Sequence, residues 1–454
     1  MSAERLSLQT PAGLSAFVRG DIETRPVVLV YVDDVQPTLA EAVPGVVALP
    51  WGSDGCDMDA LGLAPCILMP GVLPRVRAVP RHALILEHVP SAAELEGMIS
   101  QARQRLAEAW EARSALAPPR LRFSVIVATF ERVQQAAAAV RALCHQSFDA
   151  QAYEVVVVDN ALAPEPLRQA LDRVLQDVEE SGPRVRLLHM PVAGVSSARN
   201  AGLAVAEGEI ICTLDDDALP RVDWLEALDR AWDAAPGAMV IGGKIVLQLP
   251  TPRPTAFQAG WESLWSDLPL PYDDLIVPAA DWRSYPWGAN WSARRDALWR
   301  IGGFPVRYGR VGEASGRRFS KGGAHISGEE IAAAAAIVAS GTSDEGQSVL
   351  LCPSAVVDHY PARERYSMAH VRHTLAASAL LEHRLYRDGL IASETPWMGT
   401  ARQMLGATAT MLLAVLTARR CVARDRWLRL LALGEKLLVQ LGLWADAQPS
   451  LDRG

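Results

Sequence analysis

Hydrophobic and polar positions divide the chain into three stretches. Over residues 1–90, short apolar runs (VVLVYV at 27–32, VVAL at 46–49, HALILEHV at 82–89) are separated by Gly- and Pro-rich segments. This predicts a small α/β unit. Residues 92–116 carry the polar, amphipathic pattern of a helix, which Ala117-Pro118-Pro119 ends because proline cannot continue one. Residues 91–120 therefore read as a helical linker. From Arg122 the pattern becomes strand, helix, strand: continuous apolar runs at 123–129, 154–159, 184–190 and 209–215, with helical stretches to about 144, over about 164–180 and from Ser196. Continuous runs are typical of buried parallel strands, and their alternation with helices predicts right-handed βαβ units. Ligands bind such sheets beyond the carboxyl ends of the strands. Residues 371–454 are mostly helical in pattern.

Length and composition fit this picture. A chain of 454 residues suggests about three structural units. Half of it is hydrophobic and 21% charged, so it forms a core. A net charge of −8 argues against nucleic acid as a partner, since that needs a basic footprint. Six scattered cysteines with no C-x-x-C favour reduced thiols over a zinc site or a disulfide framework. The first ten residues, MSAERLSLQT, lack a signal-peptide pattern, and the longest apolar stretch, Met404–Ala418, is 15 residues, short of a membrane span. A cytoplasmic protein is expected. From Pro396 onward, eight basic residues face four acidic ones. An apolar stretch beside that excess suits peripheral contact with an anionic inner leaflet of the plasma membrane. A helical cap packed on the preceding domain, or a homodimer interface, fits the same pattern.

The polar residues of chemical interest gather at the predicted strand ends. TLDDDALP (213–220) runs an apolar strand into Asp215, Asp216 and Asp217. Three adjacent carboxylates repel one another, and a hard divalent cation relieves that repulsion and bridges to a diphosphate. A solvated acidic turn is the alternative. Thr129, Glu131 and Arg132 follow the first strand, Asp159 and Asn160 end the second, and GVSSARNAG (194–202) opens a helix. Asp159 can accept a hydrogen bond from a pyrimidine N–H. Arg199 is a partner for Asp159 or for a phosphate, with a structural ion pair as the alternative.

SVIVATFER, VVVVDNA, GVSSARNAGLAVAEG and LDDDALP, in this order, resemble the nucleotide-binding half of family 2 glycosyltransferases, which have the GT-A fold. GANWSARRDALWRIGGFP (288–305), GEEIAAAAAIVASG (328–341) and VVDHYPARERYS (356–367) extend the resemblance, so that it covers about residues 122–370. The resemblance implies a catalytic domain over 121–370, between an accessory unit of open role at 1–90 and the C-terminal helical region at 371–454. It implies an inverting transferase that moves a sugar from a nucleotide-diphosphate sugar, UDP-linked by default, to an acceptor hydroxyl with Mn2+ or Mg2+. Many relatives use lipid-linked acceptors. By the same resemblance, Thr129, Glu131, Arg132, Asp159, Asn160 and Arg199 hold the nucleotide, and Asp215 and Asp216 adjoin it. Asp217, with Asp215 and His359, binds the metal, and Gly303 with its neighbours shapes the donor-sugar pocket. The catalytic base comes from the pair Glu329 and Glu330.

Two positions depart from the family pattern. The base, aspartate in most relatives, is Glu330, and the family's helix arginine falls at Ala336. A degenerate GT-A domain that binds nucleotide sugar or a partner without turnover is therefore the alternative function. The Gly-, Ser- and Arg-rich segment 306–328 is expected to be an acceptor loop in which Arg310, Arg317, Arg318 and Lys321 meet an anionic acceptor.

Overall fold

The computed structural model describes residues 11–392 apart from 32–42, 51–57, 71, 73–78, 113–116, 162–164, 179–180, 191, 193, 253, 255–261, 269, 271–275, 310–327 and 342–347; beyond 392 it describes residues 427, 430, 433 and 434. The C-terminal basic segment and the four basic residues assigned to an acceptor loop lie outside the described residues.

The chain opens with α1 (Pro11–Ile22), whose Phe17, Val18 and Ile22 are buried. Proline suits the first helical position because its missing N–H would have no partner there. β1 (Val27–Tyr31), β2 (Val46–Pro50), β3 (Cys66–Leu68) and β4 (Leu84–Ile85) form a wholly parallel sheet in the order β2-β1-β3-β4. The run HALILEHV contributes only the two residues of β4, because Ile85 and Val89 face solvent. α2 (Ala92–Glu111) begins at a capping box in which Ser91 and Glu94 satisfy each other's backbone N–H. It buries Leu95, Ala102 and Leu106 in the same apolar cluster as β1 and β3. The predicted linker helix is thus a packed layer of the N-terminal unit.

The second sheet begins as the apolar runs predict. β5 (Leu121–Thr129), α3 (Val133–Cys144), β6 (Tyr153–Asp159), α4 (Glu165–Gln176), β7 (Arg184–His189), α5 (Val195–Val205) and β8 (Gly208–Asp215) alternate. Then follow β9 (Ala218–Pro220), α6 (Trp224–Ala234), β10 (Val240–Leu247), β11 (Val277–Pro278), β12 (Trp291–Arg294), α7 (Arg295–Arg300), α8 (Glu329–Ala339), β13 (Val349–His359) and α9 (Met368–Arg387). The sheet order is β11-β13-β10-β12-β8-β5-β6-β7, with β9 on β13. β12 lies antiparallel between β8 and β10, β9 and β11 are antiparallel to β13, and the remaining pairings are parallel.

Alternation along β5 supplies both faces of this sheet. Phe123, Val125 and Val127 join a cluster with α3, α4 and α6, while Ile126 points to the other face. On that face Gly202 lets α5 approach closely, since a Cβ there would stand 2.7 Å from Ile126 Cγ2. The N-terminal unit packs behind α5, and Val18, Leu61 and Leu63 share one apolar cluster with Leu203 and Phe304. A buried ion pair ties the two sheets together. Arg25 bonds Asp21 Oδ2 at 2.8 Å, and its remaining N–H groups donate to the carbonyls of Leu63 and Gly302, both at 2.7 Å. Replacing Arg25 by Met leaves Asp21 buried without its cation. Breaking one partner of such a pair typically costs about 3–5 kcal/mol, and the loss is expected in urea unfolding, with partial recovery in the double variant Asp21→Asn/Arg25→Met.

Strand register brings the polar residues together. Thr129 lies opposite Asp159, Ala128 opposite Asp215, and Leu247 opposite His359. The carboxyl ends of β5, β6, β8, β10 and β13 therefore share one edge of the sheet, where a parallel sheet receives ligands.

Candidate active site

A cleft of about 410 Å3 opens at this edge. Thr129, Arg132, Asn160 and Arg199 line it, as do Asp215, Asp216, Asp217, Glu329, Glu330 and His359. Asp159 stands at the end of β6 beneath this lining. Glu131 is exposed, with a left-handed backbone (φ 56°) between Phe130 and Arg132.

The three aspartates are held differently. Asp216 turns inward and accepts from Thr129 Oγ1 (2.8 Å) and Arg132 Nη1 (2.9 Å). Burial, more than the opposing charge of Arg132, pushes its carboxyl up to about 6. This bond to Thr129 braces the turn, and both residues also line the cleft. Asp215 is the most open of the three and accepts from Arg199 Nη2 at 3.0 Å. Burial raises the Asp217 carboxyl, but the facing His359 ring and the charges of Arg365 and Arg132 outweigh it and hold the carboxyl well below the ordinary range.

Asp215, Asp217 and His359 each present a ligand atom, all within 4.8 Å of one another. The His359 ring is fixed from behind. Its Nδ1 lies 2.9 Å from the Trp265 carbonyl, to which it donates, so that Nε2 is the nitrogen turned to the acidic cluster. Nε2 faces Asp217 Oδ1 at 3.2 Å, and both atoms are buried without a satisfied hydrogen bond. Two lone pairs at that distance repel unless a proton or a cation lies between them. The residues thus fit a divalent cation with mixed oxygen and imidazole ligands.

Arg199 links this cluster to the acidic pair of α8. Its guanidinium is fully buried and reaches Glu329 Oε1 at 2.5 Å and Glu330 Oε2 at 3.8 Å as well as Asp215. Gly288 makes room for it, since a Cβ there would stand 2.4 Å from Nη2. Arg199 thus pairs not with Asp159 but with Asp215 and Glu329, two carboxylates 114 positions apart in sequence, which matches the ion-pair alternative. Replacing Arg199 by Met removes the cation from two buried or half-buried carboxylates. A loss of about 3–5 kcal/mol is expected, and Lys is expected to recover little of it, because one ammonium cannot reproduce the two-armed fork. Thermal unfolding of the three proteins checks this.

Glu330 sits in the first turn of α8, and burial beside Glu329 pushes its carboxyl from the ordinary value near 4.5 up to about 8. A carboxylate made this basic is a competent proton acceptor. Ala336, where the family has arginine, is fully buried in the apolar cluster, so no cationic side chain is needed there for packing.

Asp159 and Asn160 also depart from simple expectation. Asp159 Oδ1 accepts from the Ala161 N–H at 2.9 Å, whereas Oδ2 is buried with no partner. Burial raises its carboxyl despite that bond. Asn160 donates to the carbonyls of Met190 and Val192, pinning the loop that enters α5. Gly303 does not line the cleft. It adopts φ 89° against Asn200, whose side chain bonds the Phe304 backbone N–H (2.7 Å) and carbonyl (2.9 Å). Its place is in the seam with the N-terminal unit, not in a donor-sugar pocket.

Sequence reasoning passed over Trp287, Arg365 and the face of α9 that carries His370, His373, Thr374 and Leu381, all of which line the cleft. The signal available was the polar spacing 370, 373, 374 on a helix, which marks a face without naming what it faces.

The chain is similar to several known proteins. The chain is 24% identical over 195 residues to the glucosyl-dolichyl phosphate glucuronosyltransferase of Haloferax volcanii, covering 42% of this chain and 59% of that protein. It is 26% identical over 277 residues to the pre-mycofactocin glycosyltransferase of Mycobacterium tuberculosis, covering 58% and 52%. The chain thus spans little more than half the length of these curated relatives. Among solved structures it resembles the mannosyltransferase PcManGT from Pyrobaculum calidifontis, in complex with GDP-Man and Mn2+, at 19% identity and TM-score 0.44 over 73% of this chain and 93% of that one. It also resembles S. aureus TarS 1-349, at 14% identity and TM-score 0.38 over 71% and 91%. Residues 124–302, which carry β5 to β8 and their acidic strand ends, match the family described as Glycosyl transferase family 2. That stretch of the chain carries the pattern of a family 2 glycosyltransferase domain.

Proposed function

We propose that the cleft transfers a sugar from a nucleotide-diphosphate sugar to an acceptor hydroxyl, with inversion at the anomeric carbon and with a divalent cation. The observation that carries this reading is the opposition, across one cleft, of a cation-ready cluster (Asp215, Asp217, His359) and a basic carboxylate (Glu330), joined by the buried Arg199. Asp215, Asp217 and His359 would hold the metal, and the imidazole tilts the set from Mg2+ toward Mn2+. When bound, the metal supplies positive charge to the departing diphosphate.

The chain's own residues do the rest. Asp159 ends β6 beneath the cleft with Oδ2 unpartnered, and a uracil N–H that reaches it would satisfy that oxygen, which makes a UDP-sugar the first donor to test. Arg199 holds Asp215 on one side and the acidic pair on the other, so the donor site and the base keep a fixed separation. Glu330 takes the proton of the acceptor hydroxyl as its oxygen bonds the anomeric carbon. The bond from that carbon to the diphosphate oxygen breaks, and the electron pair leaves with the nucleotide. One base suffices and no covalent enzyme intermediate is needed. No helix among the described residues is long and apolar enough to cross a membrane, so docking at a leaflet would fall to the C-terminal segment.

Nucleotide release from UDP-glucose, UDP-N-acetylglucosamine and GDP-mannose, each with Mn2+ and with EDTA, tests the reading. Mn2+-dependent release from one donor is expected, and NMR of the product should give inverted anomeric configuration. Thermal stabilisation by a nucleotide sugar with no release from any donor, with or without acceptor extracts, would instead favour a domain that binds without turnover.

A further inference from the structure

The wall of the cleft opposite the strand ends is one face of α9. Leu381 stands against the start of α8, where a Cβ on Gly328 would come within 2.6 Å of Leu381 Cδ2. Three turns earlier, His370 stacks on Trp265 with ring centroids 6.0 Å apart, and the Trp265 carbonyl is the group that fixes His359. Between these ends Ala377, Thr374 and His373 follow at helical spacing and line the cleft. Eleven residues of helix span about 16 Å. The face therefore runs from the base Glu330 to the metal-side histidine. Among the described residues, this is the wall along which a group that presents a hydroxyl to Glu330 lies while a donor occupies the strand ends.

The chemistry of this face is specific. Its middle is polar and carries no carboxylate, lysine or arginine: beside His373, the Thr374 hydroxyl pairs with His370 Nε2 at 3.4 Å and the Ser378 hydroxyl donates to the Thr374 carbonyl at 2.9 Å, each hydroxyl oxygen can accept a further hydrogen bond, and Ala377 leaves space. Trp287 lines the same cleft, half-buried, and offers an aromatic surface. Around it, five carboxylates and three guanidiniums line the cleft among the described residues, and the three guanidiniums already face carboxylates. A diphosphate with its divalent cation leaves that excess of negative charge in place. A second anion brought to Glu330 would meet like charge in a low-dielectric cleft. A hydroxyl-rich, uncharged ring meets no such penalty. Its hydroxyls match His373, Thr374 and Ser378, and its C–H face suits an indole.

We propose that α9 is the acceptor wall and that the group it receives is a neutral sugar, with Thr374 and His373 as acceptor-binding residues. This rests on the transferase reading above, and it differs from the expectation of an anionic acceptor, whose four basic residues lie outside the described residues.

The test uses the full chain, Mn2+ and the donor that gives nucleotide release. Methyl glycosides of glucose, galactose and mannose are compared with glucose 6-phosphate and methyl glucuronide, which add a charge to the same ring. At least one neutral glycoside should accelerate nucleotide release severalfold and appear glycosylated by mass spectrometry, while the charged rings do not. Thr374→Val should raise the acceptor KM about 3- to 10-fold, the effect of one neutral hydrogen bond, with the donor KM changing less than about twofold; Thr374→Ser should restore the acceptor KM. Acceleration by the charged rings equal to or above that by the neutral ones would overturn the proposal. So would the absence of acceleration by every neutral glycoside while donor hydrolysis continues, or an unchanged acceptor KM in Thr374→Val. Absence of release from every donor would overturn the transferase reading itself, and this proposal with it.

Discussion

Glu330→Gln is expected to reduce sugar transfer by about 100- to 10,000-fold, the usual contribution of a positioned general base, while leaving nucleotide binding intact. The substitution keeps the size of the side chain and removes its ability to accept a proton. Its effect on folding should be small and favourable at high pH, because the folded protein has to hold a buried charge only when Glu330 ionises. The sign follows from the raised carboxyl, near 8 instead of about 4.5. A group whose pKa rises on folding stabilises the fold when protonated, and that contribution is lost as pH rises through 4.5 to 8. Wild-type stability should therefore decline across this window relative to Glu330→Gln. Catalysis runs the other way. The base form fills as pH rises, so kcat/KM of the wild type should climb toward a plateau near pH 8, well above the range of an ordinary carboxylate. An acid limb near pH 4.5 would mean that Glu330 is not the base.

Asp217→Asn is expected to lower turnover by about 100- to 1000-fold and to abolish its response to Mn2+, since a charge-stabilising group at the departing diphosphate is lost. The amide keeps the volume and the contact with His359, so packing is preserved. What disappears is the anionic oxygen between Arg132, Arg365 and the imidazole. EDTA on the wild type should reproduce the defect, and added Mn2+ should reverse it there but not in the variant. An Mn2+ response that survives in Asp217→Asn would remove this residue from the cation site.

The two variants divide the site as the sequence divides it, into strand ends and a helix start. The strand ends were readable because β5, β6 and β8 are unbroken apolar runs that stop at polar residues, and a buried parallel strand has to look like that. Glu329 and Glu330 were readable through family resemblance, as two acids at the start of an alanine-rich helix. Their coupling to Asp215 was not, because Arg199 gathers partners from positions far apart in the chain, and such a bridge leaves no local pattern. β12 escaped notice for a different reason. Its four residues, WSAR, are held antiparallel by β8 and β10, so tertiary pairing and not local propensity makes the strand. Gly303 shows a limit of reading glycines. The position needs glycine for its left-handed backbone and for the approach of Asn200, a structural demand that looks the same in sequence as a ligand pocket. The lock on His359 by the Trp265 carbonyl is a backbone contact, so the sequence could suggest a histidine ligand without showing which nitrogen is free.

On the proposed reading, the acidic strand-end cluster holds a cation and a nucleotide together. Calorimetric titration of UDP and of GDP into the full chain, with Mn2+ and then with EDTA, tests it most directly when repeated on Asp217→Asn. One nucleotide should bind with Mn2+ and lose at least about tenfold in affinity without it, a difference of about 1.4 kcal/mol, and Asp217→Asn should bind equally weakly in both conditions. Binding that ignores both Mn2+ and Asp217→Asn, or no binding of either nucleotide, would contradict it.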